Sequence, residues 1–401
     1  MLAARVALLL LQAIVGAGIL YHYLLLVAGG KAWRRTQAGT EPQHDRCFAV
    51  AIPAHNEGSI IRARAAGLCA LDYPPDRFDV HVAADYCTDE TASEARLGGA
   101  IVHERSTGPR GRKGYALAWL LGRLLRDQTH YDAVVVFDAD SQPAPGFLRR
   151  MNEALEAEAQ VLQGRHEIAN TGASVFAALA DGDMRLNNRI RNQAKKNLGL
   201  SARLMGDAMC FERGVLENHP YHMDSLVEDR EYGLHLVTQG VRVHYLPGAV
   251  SRGQAAARWG DATGQRLRWY GGVYNLQRRY LLPLLRAAWT RRSLSALDLA
   301  LELVLPSFST TALLAPCLLV LHWSLGVARA PVAFVTAAVL AALVCVYPFL
   351  GLLVERAPWH CYRALLFGPA YVAWRVWVGL LARLRPGQVR WVRTPRAEEE
   401  Q

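Results

Sequence analysis

Two pairs of carboxylates stand out by position. Asp138-Ala139-Asp140 closes the apolar run AVVVF, and Glu228-Asp229 precedes REYGLHLVTQG. Acids spaced i, i+2 at a strand end can point together once the chain leaves the pleat, and their hard oxygens suit Mg2+ or Mn2+ bridged to a diphosphate. A lone D-x-D is equally a polar turn. Glu228 and Asp229 open a predicted helix, where acids commonly do no more than partner the helix dipole. The functional alternative is a general base that removes a proton from an acceptor hydroxyl. Lys113 follows the loop Gly108 to Arg112 in GPRGRKGYALAWLL, ahead of a helix whose first N–H groups can meet phosphate. An ordinary solvated loop has the same composition. Gln265-Arg266-Leu267-Arg268-Trp269 begins the stretch QRLRWYGGVYNLQRRYLLPLLRAAWTRR, whose Arg, Trp, Tyr and Leu suit a helix lying in a membrane interface. There a tryptophan face can also stack on a sugar ring, and an arginine can counter the charge of a departing diphosphate.

The elements that must position these residues alternate regularly. CFAVAIPAH is followed by a helix near Glu57 to Ala70, FDVHVAAD by a helix near Thr88 to Gly98, and AIVHER by a helix from about Lys113 to Arg126 before AVVVFDAD. Strands separated by helices of that length predict an α/β domain with a mostly parallel sheet and helices on both faces. Ligands gather at the carboxyl ends of such strands, which is where Asn56, Glu57, Asp85, Asp138 and Asp140 fall. No G-x-G-x-x-G or G-x-x-x-x-G-K-[ST] loop follows the first strand, so the dinucleotide and P-loop readings fail where they should be strongest.

The ends of the 401-residue chain are apolar. Val6 to Ala28 carries no charge and is long enough for a hydrocarbon core of about 30 Å. Arg5 precedes it, and Lys31, Arg34 and Arg35 follow, which orients the next segment to the cytosol. A cleaved signal peptide would have a shorter apolar region ending in a small-x-small site. Leu303 to Val327 and Val332 to Val354, separated by Arg329, read as a transmembrane hairpin. Glu302 at its entrance reads as interfacial rather than channel-lining. Leu365 to Leu381 carries Arg375 at its centre, expensive at mid-bilayer, and Arg383, Arg385, Arg390, Arg393 and Arg396 follow it, so an interfacial helix is expected there. Much of the net charge of +10 lies beside these segments, where anionic lipid accounts for it, so nucleic acid is discounted. Seven scattered cysteines with no C-x-x-C pair indicate neither a zinc site nor a disulfide framework, as in a reducing compartment.

Taken in order, PAHNE, AADYCTDET, GRKGYALA, DAD, VED and QRLRW resemble the membrane-bound family-2 glycosyltransferases of GT-A fold, a group that includes cellulose, hyaluronan and chitin oligomer synthases and ceramide glucosyltransferases. The likeness runs from about Cys47 to Trp269, and Q-x-x-R-W is its most discriminating part. It implies a nucleotide-sugar donor, with uridine the usual nucleotide among relatives, and a divalent Mg2+ or Mn2+. It also implies roles position by position. Asp85 and the backbone around Pro53 and Ala54 would contact the uracil or ribose, with Glu57 near the base. Lys113 and Asp138 would bind the nucleotide sugar, with Arg268 toward its diphosphate, and Asp140, seconded by Asp138, would hold the metal. Asp229, with Glu228 beside it, would be the catalytic base of an inverting displacement. Gln265, Arg268 and Trp269 would close the acceptor side. The chain departs from the common pattern at Ala84-Asp85, where many relatives carry two aspartates, and at Val227, where Thr is usual. Gly206 and Asp207 fall in the acceptor loop, where Asp207 is bulkier than the usual small residue.

The expected organisation is an N-terminal transmembrane helix (1–30), a cytosolic linker (31–45), a GT-A glycosyltransferase domain (46–262), amphipathic interface helices with Q-x-x-R-W (263–295), a transmembrane hairpin (296–355), and an interfacial helix with a basic tail (356–401). The expected setting is an integral protein of the bacterial inner (cytoplasmic) membrane with a cytosolic catalytic domain. Its acceptor would be lipid-linked or membrane-proximal, in glycolipid or extracellular polysaccharide synthesis. Processive synthesis of an exported polymer is the rival. Three spans and an interfacial helix enclose little polar path in a monomer, so a homo-oligomer or partner subunits would have to complete a channel. A silent membrane scaffold or transporter is disfavoured by the intact carboxylates and the few spans.

Overall fold

The computed structural model of the chain describes residues 2–30, 44–127, 129–222, 224–255, 259–324 and 331–384. Most of the predicted linker 31–45, Arg329, and the tail basic residues from Arg385 onward lie outside these. The strands are β1 Phe48–Ala54, β2 Phe78–Asp85, β3 Ile101–Arg105, β4 Ala133–Val136, β5 Gln142–Pro143, β6 Val161–Ile168, β7 Met209–Glu212 and β8 Val243–Gly253. They form one sheet in the order β3-β2-β1-β4-β7-β6-β8-β5. The first four strands pair in parallel, as the alternating pattern requires. β6 and β8 are also parallel, but β7 runs antiparallel between β4 and β6, and the short β5 is antiparallel to β8. The sheet is therefore mixed, parallel where helices return the chain and reversed where β7 enters between β4 and β6.

Every residue of β1 is buried, because the strand is covered on both faces. Its alternate side chains divide between two cores. Phe48, Val50 and Ile52 pack with Phe137, Phe147 and Met151 on one face, whereas Ala49 and Ala51 pack with Leu117, Leu121, Phe211 and Tyr232 on the other. The small alanines let the helix Lys113–Leu124 lie close over the strand ends. That closeness carries Lys113, its first residue, to the mouth of the sheet.

Among the described residues, three helical stretches are long and apolar enough to cross a membrane: Arg5–Gly30, Val332–Val354 and Trp359–Leu384. A fourth is made if Leu294–Val304 and Phe308–Ser324, bent by 54° at a short break, count as one span. The predicted first arm of the hairpin thus begins earlier than Leu303 and is broken by the segment containing Pro306, which cannot donate to a helical ladder. The stretch expected to be interfacial because of Arg375 is itself long and apolar enough to cross. Its arginine is satisfied within the protein: Nε donates to the Tyr270 hydroxyl at 3.0 Å, and Nη1 bonds Asp183.

Glu302 also differs from the expectation of an interfacial residue. It is buried, and its carboxylate takes Arg191 at 2.5 Å, Arg203 at 2.8 Å and Lys195 at 3.1 Å. Apolar neighbours would make such a carboxylate prohibitive alone, so the cations that meet it from the helix Ile190–Asn197 and the following loop fix the membrane-side helix against the sheet domain.

Candidate active site

The carboxyl ends of β1, β2 and β4 open into a cavity of about 910 Å3. Pro53, Ala54, Glu57 and Asp85 line one end. Asp85 is not an open carboxylate: it pairs with the buried Arg105 at the end of β3. Arg105 also donates to the Pro109 carbonyl at 2.5 Å, latching the loop that leads to Lys113. Tyr86 lies beside this pair, with the Arg105 and Arg110 guanidiniums 5.4 and 4.0 Å from its ring centre and its hydroxyl donating to the Gly108 carbonyl at 2.7 Å.

At the centre, Lys113 Nζ bonds Asp138 and donates to the Gly206 carbonyl at 2.6 Å. Burial alone would lower the Lys113 pKa, but Asp138 and then Glu228 hold it above the ordinary lysine range. Asp138 and Asp140 both border the cavity just beyond β4. Their donor set is entirely oxygen, which fits Mg2+ or Mn2+; Lys113 bonds Oδ1 of Asp138, and the Gln254 backbone N–H donates to Oδ2 of Asp140 at 3.4 Å. A cation bound there would add positive charge at this end of the cavity.

The helix Glu228–Gln239 starts without a side-chain cap and brings its first acids to the same place. Asp229 borders the cavity; Glu228 is buried behind it and does not. Burial, and then the charge of Asp229, push Glu228 up to about 7 against the opposing charge of Lys113. Asp229 is raised as well, chiefly by burial, with Lys113 again opposing.

Gly206 contributes no side chain. It has φ +79, and a Cβ there would lie 3.2 Å from Asp229 Oδ2 and 3.5 Å from Lys113 Nζ, so its smallness seats the two groups. Asp207, expected on the acceptor side, lines the cavity with a carboxylate that is already bonded. Its carboxylate is buried at the cavity border, Oδ2 2.7 Å from His166 Nδ1 and Oδ1 taking the Ser141 hydroxyl at 2.5 Å. Burial would raise its pKa, but the bond from His166 keeps it below the usual carboxylate range, and His166 is raised in turn. The extra bulk that distinguishes Asp207 thus braces β6 and the turn after β4.

The helix Trp259–Thr290 closes the cavity with Gln265, Arg268 and Trp269, which share one face by their i, i+3, i+4 spacing. Gly272, one turn on, lets this helix touch Val227, whose Cγ2 would stand 2.6 Å from a Cβ there. Burial lowers the Arg268 pKa. The Arg266 guanidinium lies 5.2 Å from the Trp269 ring centre and donates to Asp183 at 2.9 Å and to the Tyr371 hydroxyl at 3.0 Å. Burial would raise Asp183, but Arg375 and then Arg266 hold it well below the carboxylate range.

Several of these groups are invisible to motif reading. Asp183, Arg203, Arg230 and His166 border the cavity, as do Asn187 and Asn188 of a π-helical turn, Arg185–Arg189. Such turns are uncommon and cluster at functional sites. No motif announces them; only the oddity of charged residues in the otherwise helix-forming ALADGDMRLNNR signals that this segment is not simply surface.

A family model described as glycosyltransferase like family 2 matches residues 44–272. A beta-monoglucosyldiacylglycerol synthase from Synechocystis sp. is 31% identical over 257 residues, covering 61% of this chain and 50% of the relative. The probable glucomannan 4-beta-mannosyltransferase 3 of Oryza sativa subsp. japonica is 27% identical over 246 residues, covering 57% and 43%. The chain thus spans about half the length of these relatives or less. Among solved structures, the mannosyltransferase PcManGT from Pyrobaculum calidifontis, in complex with GDP-Man and Mn2+, superposes with a TM-score of 0.55 over 94% of this chain and 98% of that one, at 18% identity, a likeness of fold.

Proposed function

The chain belongs to the glycosyltransferase-like family 2, and on that footing we propose that it moves a sugar from a nucleotide-diphosphate sugar, with UDP the expected nucleotide, to a lipid-linked or membrane-proximal acceptor, with inversion. The observation that carries this reading is the meeting of Asp229, Lys113, Asp138 and Asp140 with Gln265, Arg268 and Trp269 around one cavity.

The chemistry follows from the groups present. Asp229 takes the proton of the acceptor hydroxyl as its oxygen bonds to the anomeric carbon. The bond from that carbon to the diphosphate breaks on the opposite face, and the electron pair leaves with the diphosphate. Lys113 and Arg268 meet the charge that develops there, and Asp140, seconded by Asp138, would hold the divalent cation on the same group. Glu228, pushed up to about 7, stands behind Asp229 and carries only part of its negative charge near neutral pH. Trp269 offers its ring to the acceptor sugar or headgroup.

The acceptor is proposed to be membrane-borne because the helix that closes the cavity leads into apolar, outward-facing residues such as Leu282 and Trp289 before the membrane stretches begin. Membranes incubated with a panel of labelled nucleotide sugars test the reading. Release of nucleotide diphosphate together with one or a few sugars on lipid is expected. A long polymer would replace it with processive synthesis. Neither release nor binding of any nucleotide sugar in the presence of Mn2+ would overturn it.

A further inference from the structure

Behind Asp229 the cavity wall turns cationic. Arg230, the next residue of the helix, borders the cavity together with Arg203. Arg203 is bonded to Glu302, which also serves Arg191 and Lys195. Lys195 reaches Asp298 at 2.9 Å, and Asp298 takes the Tyr21 hydroxyl of the first helix at 2.8 Å. Asp298 and Glu302 are therefore both engaged by Arg191, Lys195 and Arg203 before Arg230 is counted. Among the described residues, no side chain hydrogen-bonds or ion-pairs with Arg230. Burial, and then the charge of Arg203, push Arg230 down to about 9, against the opposing charges of Glu302 and Asp229. Arg230 is partly exposed at the cavity wall, so its guanidinium donors can exchange water for an anion that enters there.

The donor diphosphate has its own cations at Lys113 and Arg268. Arg203 is tied through Glu302 to the helix Leu294–Val304, which Tyr21 of the helix Leu2–Gly30 also meets at Asp298, and Arg230 lines the cavity with it. We propose that Arg230, with Arg203, binds a phosphate carried by the acceptor lipid, so that the preferred acceptor is a hydroxyl-bearing phospholipid rather than a neutral one. The forked donors of arginine suit two phosphate oxygens at once. Because Asp229 and Arg230 both line the cavity, phosphate held by Arg230 would leave a headgroup hydroxyl within reach of Asp229. This inference rests on the transfer reaction proposed above.

The test uses the full chain in phosphatidylcholine nanodiscs, with diacylglycerol or phosphatidylglycerol as the probe acceptor and kcat/KM measured for each. Phosphatidylglycerol should be favoured by about tenfold or more, the worth of a charge-assisted contact. In Arg230→Gln the ratio should fall to about one to threefold, with Arg230→Lys between. The ratio is taken on one protein sample, so a loss of folded fraction cancels. Inorganic phosphate should compete with phosphatidylglycerol in the wild type and no longer in Arg230→Gln. Equal use of diacylglycerol, an equal loss on both lipids in Arg230→Gln, or inorganic phosphate binding more tightly than the lipid would each overturn the proposal. Transfer to neither lipid also overturns it if donor hydrolysis persists. If hydrolysis is absent too, the glycosyltransferase reading itself falls.

Discussion

A Cβ on Gly206 would stand 3.2 Å from Oδ2 of Asp229. The fit is close enough that a methyl group there would push the carboxylate aside by a few tenths of an ångström, and the positive φ at Gly206 favours glycine independently. Gly206→Ala should therefore displace both Asp229 and the Lys113 ammonium that donates to the Gly206 carbonyl. Strain of about 1–2 kcal/mol is expected to lower the melting temperature slightly, while kcat falls more than tenfold, about 1.4 kcal/mol of barrier or more. Thermal denaturation and initial rates on the same preparation separate the two effects.

Asp229→Asn keeps the shape of the side chain and removes the proposed base. Transfer should drop by about two to four orders of magnitude while nucleotide binding by calorimetry persists. Near-normal turnover in that variant would sink the assignment of the base.

Glu228 offers a signed test in pH. Its ordinary value is 4.5 and its folded value about 7, so below pH 4.5 folded and unfolded chains both hold the proton and the site costs nothing. Between pH 4.5 and 7 the unfolded chain loses the proton first, and stability falls as pH rises, with the full cost present above about 7. Glu228→Gln removes that cost. Its melting temperature relative to wild type should rise across this window and stay level on either side. In transfer assays the Glu228–Asp229 pair should give one acidic limb near neutrality, shifted toward lower pH by Glu228→Gln.

The carboxylates after β4 predict metal dependence. Chelator-treated protein should lose transfer and recover it with Mn2+ or Mg2+. Asp140→Ala should raise the concentration of Mn2+ needed for half-maximal rate by about tenfold or more. An Asp138→Ala variant should combine a smaller metal defect with weaker donor binding, since it also strands Lys113. Full activity of the stripped wild type would refute the dependence.

Asp183 joins Arg266 to Arg375, and so joins the helix that closes the cavity to the stretch Trp359–Leu384. Asp183→Asn leaves two guanidiniums facing each other in a buried wall, where breaking such a group costs about 3–5 kcal/mol. We expect a large fall in melting temperature and loss of transfer together. Arg375→Leu, which removes one cation and leaves the Arg266 pair, should be milder in both.

The parts of this arrangement that sequence discloses are those whose signal is local. β1, β2 and β4 announce themselves as short apolar runs, and the acids at their ends fall where a parallel sheet must present them. Lys113 is found because a helix start and a strand end are each readable within a dozen residues. Arg375 is not: read alone it is a charge in an apolar stretch, and its relief comes from Asp183, 192 positions away in the chain. The partners of Asp207 are hidden for the same reason. Its carboxylate looks like an intrusion into an acceptor loop until His166 and Ser141 are seen to close on it. The bend before Phe308 is hidden because hydropathy averages over Pro306, and β7 runs against its neighbours with nothing in MCFE to say so.

The carboxylate of Glu302 holds three cations of the sheet domain, and Gly18 of the first helix packs against Pro306, whose Cγ would be 3.2 Å from a Cβ at that glycine. These contacts make the cavity and the first helix one stiff frame instead of a domain on a tether. A spanning helix answers thinner or thicker hydrocarbon by tilting. Here a tilt would carry Asp229 with it, so on the proposed reading transfer should respond to bilayer thickness.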